Sequence, residues 1–104
     1  MNNQEEILST IKTLVNEAIP DAKVFLFGSR ATGAIHEESD WDVLVLTSGA
    51  VNRSIKHQIH DKLFPLSVEL SSFINSIVVN NEEWLKSPSY YTLRNSIKDE
   101  VIAL

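Results

Sequence analysis

The chain has 104 residues, no cysteine and a net charge of −5. Disulfides, zinc–thiolate centres and thiol chemistry are therefore excluded, and the acidic balance argues against binding nucleic acid through a broad basic surface, which needs clustered Lys and Arg. With 43% hydrophobic and 22% charged residues, the sequence reads as one ordinary globular domain over residues 1–104.

Residues 4–19 carry Ile7, Leu8, Ile11, Leu14, Val15 and Ala18 at steps of three and four, one face of a helix. Asn3 suits its N-cap, Glu5 and Glu6 its first turn, and Pro20 its stop. A short apolar run then predicts a strand over 23–27. It breaks at Gly28-Ser29, and Asp40, Trp41 and Asp42 lead into a second apolar run, Val43-Leu44-Val45-Leu46, which predicts a strand over 41–47.

On a strand, alternate residues share a face. Asp40 and Asp42 are thus expected to point the same way, with Trp41 turned to the opposite face and into the core. Two like charges side by side repel, and a divalent cation is the natural neutraliser. Mg²⁺ takes oxygen ligands and sits between one or two carboxylates and a substrate's phosphates. Gly28 permits a tight turn and a close approach of backbone to ligand. Ser29 supplies a hydroxyl and a backbone N–H, and a helix starting there favours anions. A phosphate cradle facing a metal-binding carboxylate pair is what phosphoryl or nucleotidyl transfer requires. Arg30, directly after the turn, is a candidate phosphate contact, and Ser39 is a candidate loop-holding residue. His36, among acids, reads as exposed.

Ser48-Gly49 ends the second strand, and Val51, Ile55, Ile59 and Leu63 predict a helix over 51–64, closed by Pro65. His57 and His60 lie three apart on it, with Asp61 beside them, and read as a solvated face. A third strand is expected from Leu66 through Ser71, with Val68 and Leu70 on one face and Glu69 on the other. Phe73, Ile74, Ile77, Val78 and Val79 continue an apolar stretch that reads as a strand with a bend. Asn80 reads as an N-cap with Glu82 and Glu83 in the first turn and Trp84 inward. Ser87-Pro88 opens a last helix over 88–100, with Tyr90, Leu93, Ile97 and Val101 on one face. Tyr90, Tyr91 and Arg94 read as core and rim, with a nucleotide or partner surface as the alternative. No apolar run approaches a membrane span, and the start lacks the basic region of a signal peptide. With the lack of cysteine, this fits a cytoplasmic protein.

Gly-Ser, ten residues, then Asp-x-Asp resembles the signature of polymerase-β-like nucleotidyltransferases, and of the minimal nucleotidyltransferase (MNT) proteins in particular. The match here is Gly28, Ser29, Asp40 and Asp42, with Arg30, Gly33, Ser39 and the following apolar strand also in pattern. The resemblance implies an α+β fold, a small mixed β-sheet flanked by helices like the palm of polymerase β. It implies transfer of a nucleoside monophosphate from ATP or another NTP to a hydroxyl. Asp40 and Asp42 would hold two Mg²⁺ ions, with Mn²⁺ an alternative, and Gly28, Ser29 and Arg30 would bind the phosphates. A third family carboxylate sits on the strand after the second helix. Glu69 is the positional match, a departure from the usual Asp that puts catalytic efficiency in doubt.

The resemblance also implies a partner. MNT proteins are commonly paired with a helical HEPN toxin, a ribonuclease, and act as antitoxins by adenylylating a Tyr on it. Two other readings stand beside that one. The chain is a catalytically weak module that neutralises a partner by contact, or it is a small-molecule nucleotidyltransferase working as a homo-oligomer.

Overall fold

A computed structural model describes residues 3–33 and 40–104. The roles expected of His36 and Ser39 lie outside the described residues. Helix α1 spans Gln4–Ala18, and the Asn3 side chain caps it by accepting from the Glu6 N–H at 2.8 Å. Its apolar face buries Ile7, Ile11 and Val15. Strand β1 (Lys23–Phe27), the one-turn helix α2 (Ser29–Thr32) and strand β2 (Trp41–Thr47) follow. Both strands and the first helix fall where the apolar pattern puts them.

The next element does not. Helix α3 runs from Arg53 to Leu70, with Pro65 inside it. Proline in a helix interior removes one hydrogen bond and clashes with the preceding turn, at about 3 kcal/mol. The apolar spacing opposes that cost. Ile59, Leu63 and Leu66 are all buried, and Leu70 packs against the same core. Steps of four, three and four keep one face on the sheet through the proline, and full burial of each such side chain stabilises by about 1.5–3 kcal/mol. The helix ends one turn later, in a left-handed residue at Ser71 (φ 53°). The strand expected from Leu66 through Ser71 is thus helix, and the third strand, β3, is Ile74–Asn80.

Asn80 caps helix α4 (Asn81–Lys86), accepting from the N–H groups of Glu82 and Glu83 at 2.9 and 3.3 Å. Trp84 turns inward and is buried. The segment opened by Ser87-Pro88 begins as a 3-10 turn (Pro88–Tyr90), continues as helix α5 (Tyr91–Ile97) and gives way to a two-residue strand, β4 (Ile102–Ala103). The final helix is therefore shorter than the expected 88–100, because the chain leaves it to pair with β1.

The four strands form one mixed sheet in the order β3-β2-β1-β4. β1 runs antiparallel to both β2 and β4, and β2 runs parallel to β3. A parallel pair needs a crossover, and α3 supplies it. Alternation along the strands divides the core in two. Val24, Leu26, Trp41, Val43 and Val45 face α1 and α3, whereas Phe27, Leu44 and Val79 face Trp84 and Ile97 of α4 and α5. The sheet is covered by helices on both faces, the expected α+β architecture.

Candidate functional site

Asp40 and Asp42 lie at the start of β2, on the face that Leu44 and Leu46 share further along the strand. Trp41 points to the other face and is 2% exposed, as the alternation requires. One side chain joins the two acids. The Asn75 amide donates to Asp40 Oδ2 at 3.0 Å and to Asp42 Oδ1 at 3.3 Å. Asn75 is on β3, directly opposite Asp42 in the parallel register, on the face that also carries Ile77 and Val79.

The Gly-Ser turn closes on the same pair from β1. Phe27 pairs with Asp42, so Gly28 follows at the edge of the carboxylates. Its φ of 77° with ψ of −160° is a conformation that only glycine adopts readily. A β-carbon there would stand 2.3 Å from Asp42 Oδ2, far inside van der Waals contact. Glycine thus serves both the backbone path and the approach to the acid. Ser29 opens α2, as the anion-cradle reading requires, and the Gly28 carbonyl accepts from the N–H groups of Ala31 and Thr32 at 3.0 and 3.2 Å.

Arg30 is half-buried, with its guanidinium 4.1 Å from the centroid of the Trp41 ring. Its backbone carbonyl accepts from Gln4 Nε2 at 3.5 Å, which ties α2 to α1. Arg30 therefore fixes the turn onto the base of β2. The Trp41 indole N–H beneath it is buried without a hydrogen-bond partner among the described residues.

Glu69 is not on the strand beside β2. It occupies the last turn of α3 and is exposed. The strand register that assigned it to the metal site belongs to Asn75, a neutral amide. The sequence reading missed Asn75, although the same signal was present. It is a polar residue two and four positions before Ile77 and Val79, on one face of a strand. His57 and His60 are exposed on α3 and gather no ligand set: among the described residues no three His, Asp or Glu side chains are grouped to hold a metal. Tyr90 stacks on Trp84 at 5.7 Å, and Arg94 donates to the Trp84 carbonyl, so both are part of the second core and its rim.

The donor set fits a hard divalent cation. It offers carboxylate oxygens from two alternate positions on one face at the start of β2, held in place by an amide and beside the Gly28–Ser29 turn. A neutral site for an organic ligand has no use for paired acids, which repel unless a cation or donor lies between them.

Residues 6–102 match the family described as nucleotidyltransferase domain. The chain belongs to that family. Solved structures agree on the fold. A toxin-antitoxin complex with AMP-PNP aligns with a TM-score of 0.63 at 24% identity, over 91% of this chain and 69% of that one. A tri-AMPylated HEPN toxin in complex with MNT antitoxin, from Shewanella oneidensis, aligns at 0.62 and 19%, over 97% and 71%. Spectinomycin adenyltransferase from Enterococcus faecialis, with ATP and spectinomycin, aligns at 0.66 and 20%, over 81% of this chain but only 37% of that one. No curated protein matches the chain. Family and fold together make this a nucleotidyltransferase. Among the described residues, no helix is long and apolar enough to cross a membrane.

Proposed function

We propose that the chain transfers AMP from ATP to a hydroxyl on a protein partner, in the manner of an MNT antitoxin acting on a HEPN toxin. The observation that carries this reading is the packing of Asp42 against Gly28 at the end of β1, with Asp40 joined to Asp42 through the Asn75 amide. Asp40 and Asp42 would hold Mg²⁺ or Mn²⁺, which when bound polarises the phosphoryl oxygens and lowers the pKa of an attacking hydroxyl. Gly28 keeps the turn low enough for a triphosphate to lie against it. Ser29 offers its hydroxyl and N–H to the phosphates, and Arg30 secures the turn from below through Trp41. The acceptor oxygen forms a bond to the α-phosphorus as the bond to the α,β-bridging oxygen breaks. Pyrophosphate leaves with that electron pair, and the hydroxyl proton passes to water. Positioning and charge neutralisation carry most of the acceleration.

The extent of the structural likeness favours a protein acceptor: the alignment covers 69% and 71% of the toxin-antitoxin neighbours but 37% of spectinomycin adenyltransferase. The cytoplasm is the compartment that supplies both ATP and such a partner. Asn75 favours a second reading, neutralisation of the partner by contact with weak or no transfer, because the position facing Asp42 carries no charge.

The test is incubation of the protein with Mg²⁺, α-³²P-labelled ATP and a HEPN-family protein encoded next to it. Label on a tyrosine of the partner supports transfer. Tight complex formation without label, under conditions where nucleotide binds, supports contact alone.

A further inference from the structure

We propose that Asn75 is a positioning residue that sets the metal stoichiometry of this site at one divalent cation per bound nucleotide. The inference rests on the nucleotidyltransferase reading and deepens it. Asn75 faces Asp42 across the parallel register and donates to both acids, at 3.0 Å to Asp40 and 3.3 Å to Asp42. Two consequences follow from the chemistry of an amide. Its N–H groups occupy one oxygen of each carboxylate, which fixes the orientation of both and leaves their other oxygens for a cation. It also brings no charge. The three side chains total −2, which a single Mg²⁺ or Mn²⁺ neutralises.

A second cation about 3.5–4 Å from the first, as in two-metal sites, needs further anionic oxygen to offset the repulsion between two dications. Nothing at position 75 supplies it. Among the described residues Glu69 does not supply it either, because it is on the exposed last turn of α3 rather than on the strand beside the pair. The nucleotide's own phosphates provide the remaining ligands of one ion, the usual manner in which Mg²⁺ is held by one or two carboxylates. The structure thus assigns to Asn75 the work of presenting Asp40 and Asp42 as a matched pair to one metal–nucleotide complex.

The test is equilibrium dialysis of the full chain with Mn²⁺ and α,β-methylene-ATP, an analogue that blocks transfer. Bound Mn²⁺ and bound nucleotide are counted separately for the wild type, Asn75→Ala and Asn75→Asp. Circular dichroism and thermal melting check that each variant is folded. The expected result is one Mn²⁺ per bound nucleotide in the wild type and two in Asn75→Asp. In Asn75→Ala one ion binds with affinity lower by about 10-fold or more, the usual cost of losing a partner that orients a metal ligand. Two Mn²⁺ per nucleotide in the wild type, or one in Asn75→Asp, overturns the stoichiometry. Wild-type affinity in Asn75→Ala overturns the positioning role. Absence of nucleotide from the wild type itself overturns the nucleotidyltransferase reading and this inference with it, a result distinct from the others.

Discussion

Gly28 and Asp42 are packed so closely that a β-carbon at position 28 would meet the Asp42 carboxylate at 2.3 Å and force it to shift. The turn proposed to receive phosphate and the acid proposed to hold metal are therefore one structural unit, joined through the antiparallel pairing of β1 and β2. Gly28→Ala is expected to act on both. The positive φ alone costs about 1–3 kcal/mol for a non-glycine residue. The new methyl must also displace the Asp42 carboxylate from the place proposed for metal binding. A lower melting temperature together with loss of Mg²⁺-ATP binding is the predicted outcome, and a variant that binds as the wild type does would show that the contact is not tight.

Arg30 and Trp41 make a second such pair, with the guanidinium 4.1 Å from the ring centroid. Arg30→Ala should lower stability by about 0.5–1 kcal/mol through the lost cation–π contact. It should also loosen the Gly28–Ser29 turn. Chemical denaturation measures the first effect, and calorimetry with Mg²⁺-ATP the second. Unchanged values in both would remove Arg30 from the account of the turn.

Pro65 sits inside α3, one position before the buried Leu66. Replacement by Ala restores an N–H and removes a clash, a gain of about 3 kcal/mol, offset by about 1 kcal/mol from the greater freedom of the unfolded chain. Pro65→Ala is expected to raise stability by about 2 kcal/mol, read from the denaturant midpoint. A lower midpoint would mean that the helix depends on the bend that proline imposes.

Glu69 is exposed on the same helix, away from the strand that faces Asp42. In Glu69→Ala, Mg²⁺-ATP at 100 times its Kd should still stabilise the protein by about 2.7 kcal/mol, as in the wild type. Loss of that stabilisation would return Glu69 to the metal site.

Strands β1 and β2 and the turn at Gly28 were legible because local signals coincide there: a Gly-Ser break after an apolar run, and strict alternation that sends Asp40 and Asp42 one way and Trp41 the other. None of these needs knowledge of distant residues. Helix α3 was misread because the proline rule is local and the opposing term is not. Burial of Leu66 and Leu70 against the sheet is visible only as a continuation of the Ile59–Leu63 spacing beyond Pro65. That single error moved the third strand by eight residues and put Glu69 in the place of Asn75. Strand β4 escaped for a similar reason. Two residues carry no period, and Ile102 and Ala103 become a strand only because β1 offers an edge.

The most direct measurement is calorimetric titration of ATP with Mg²⁺ into the wild type and into an Asp40→Ala/Asp42→Ala double variant. The account predicts saturable, metal-dependent binding in the wild type and none in the double variant, with the variant still folded by circular dichroism. Equal binding by both, or binding by the wild type that persists when Mg²⁺ is chelated, would contradict the claim that this carboxylate pair is the nucleotide site.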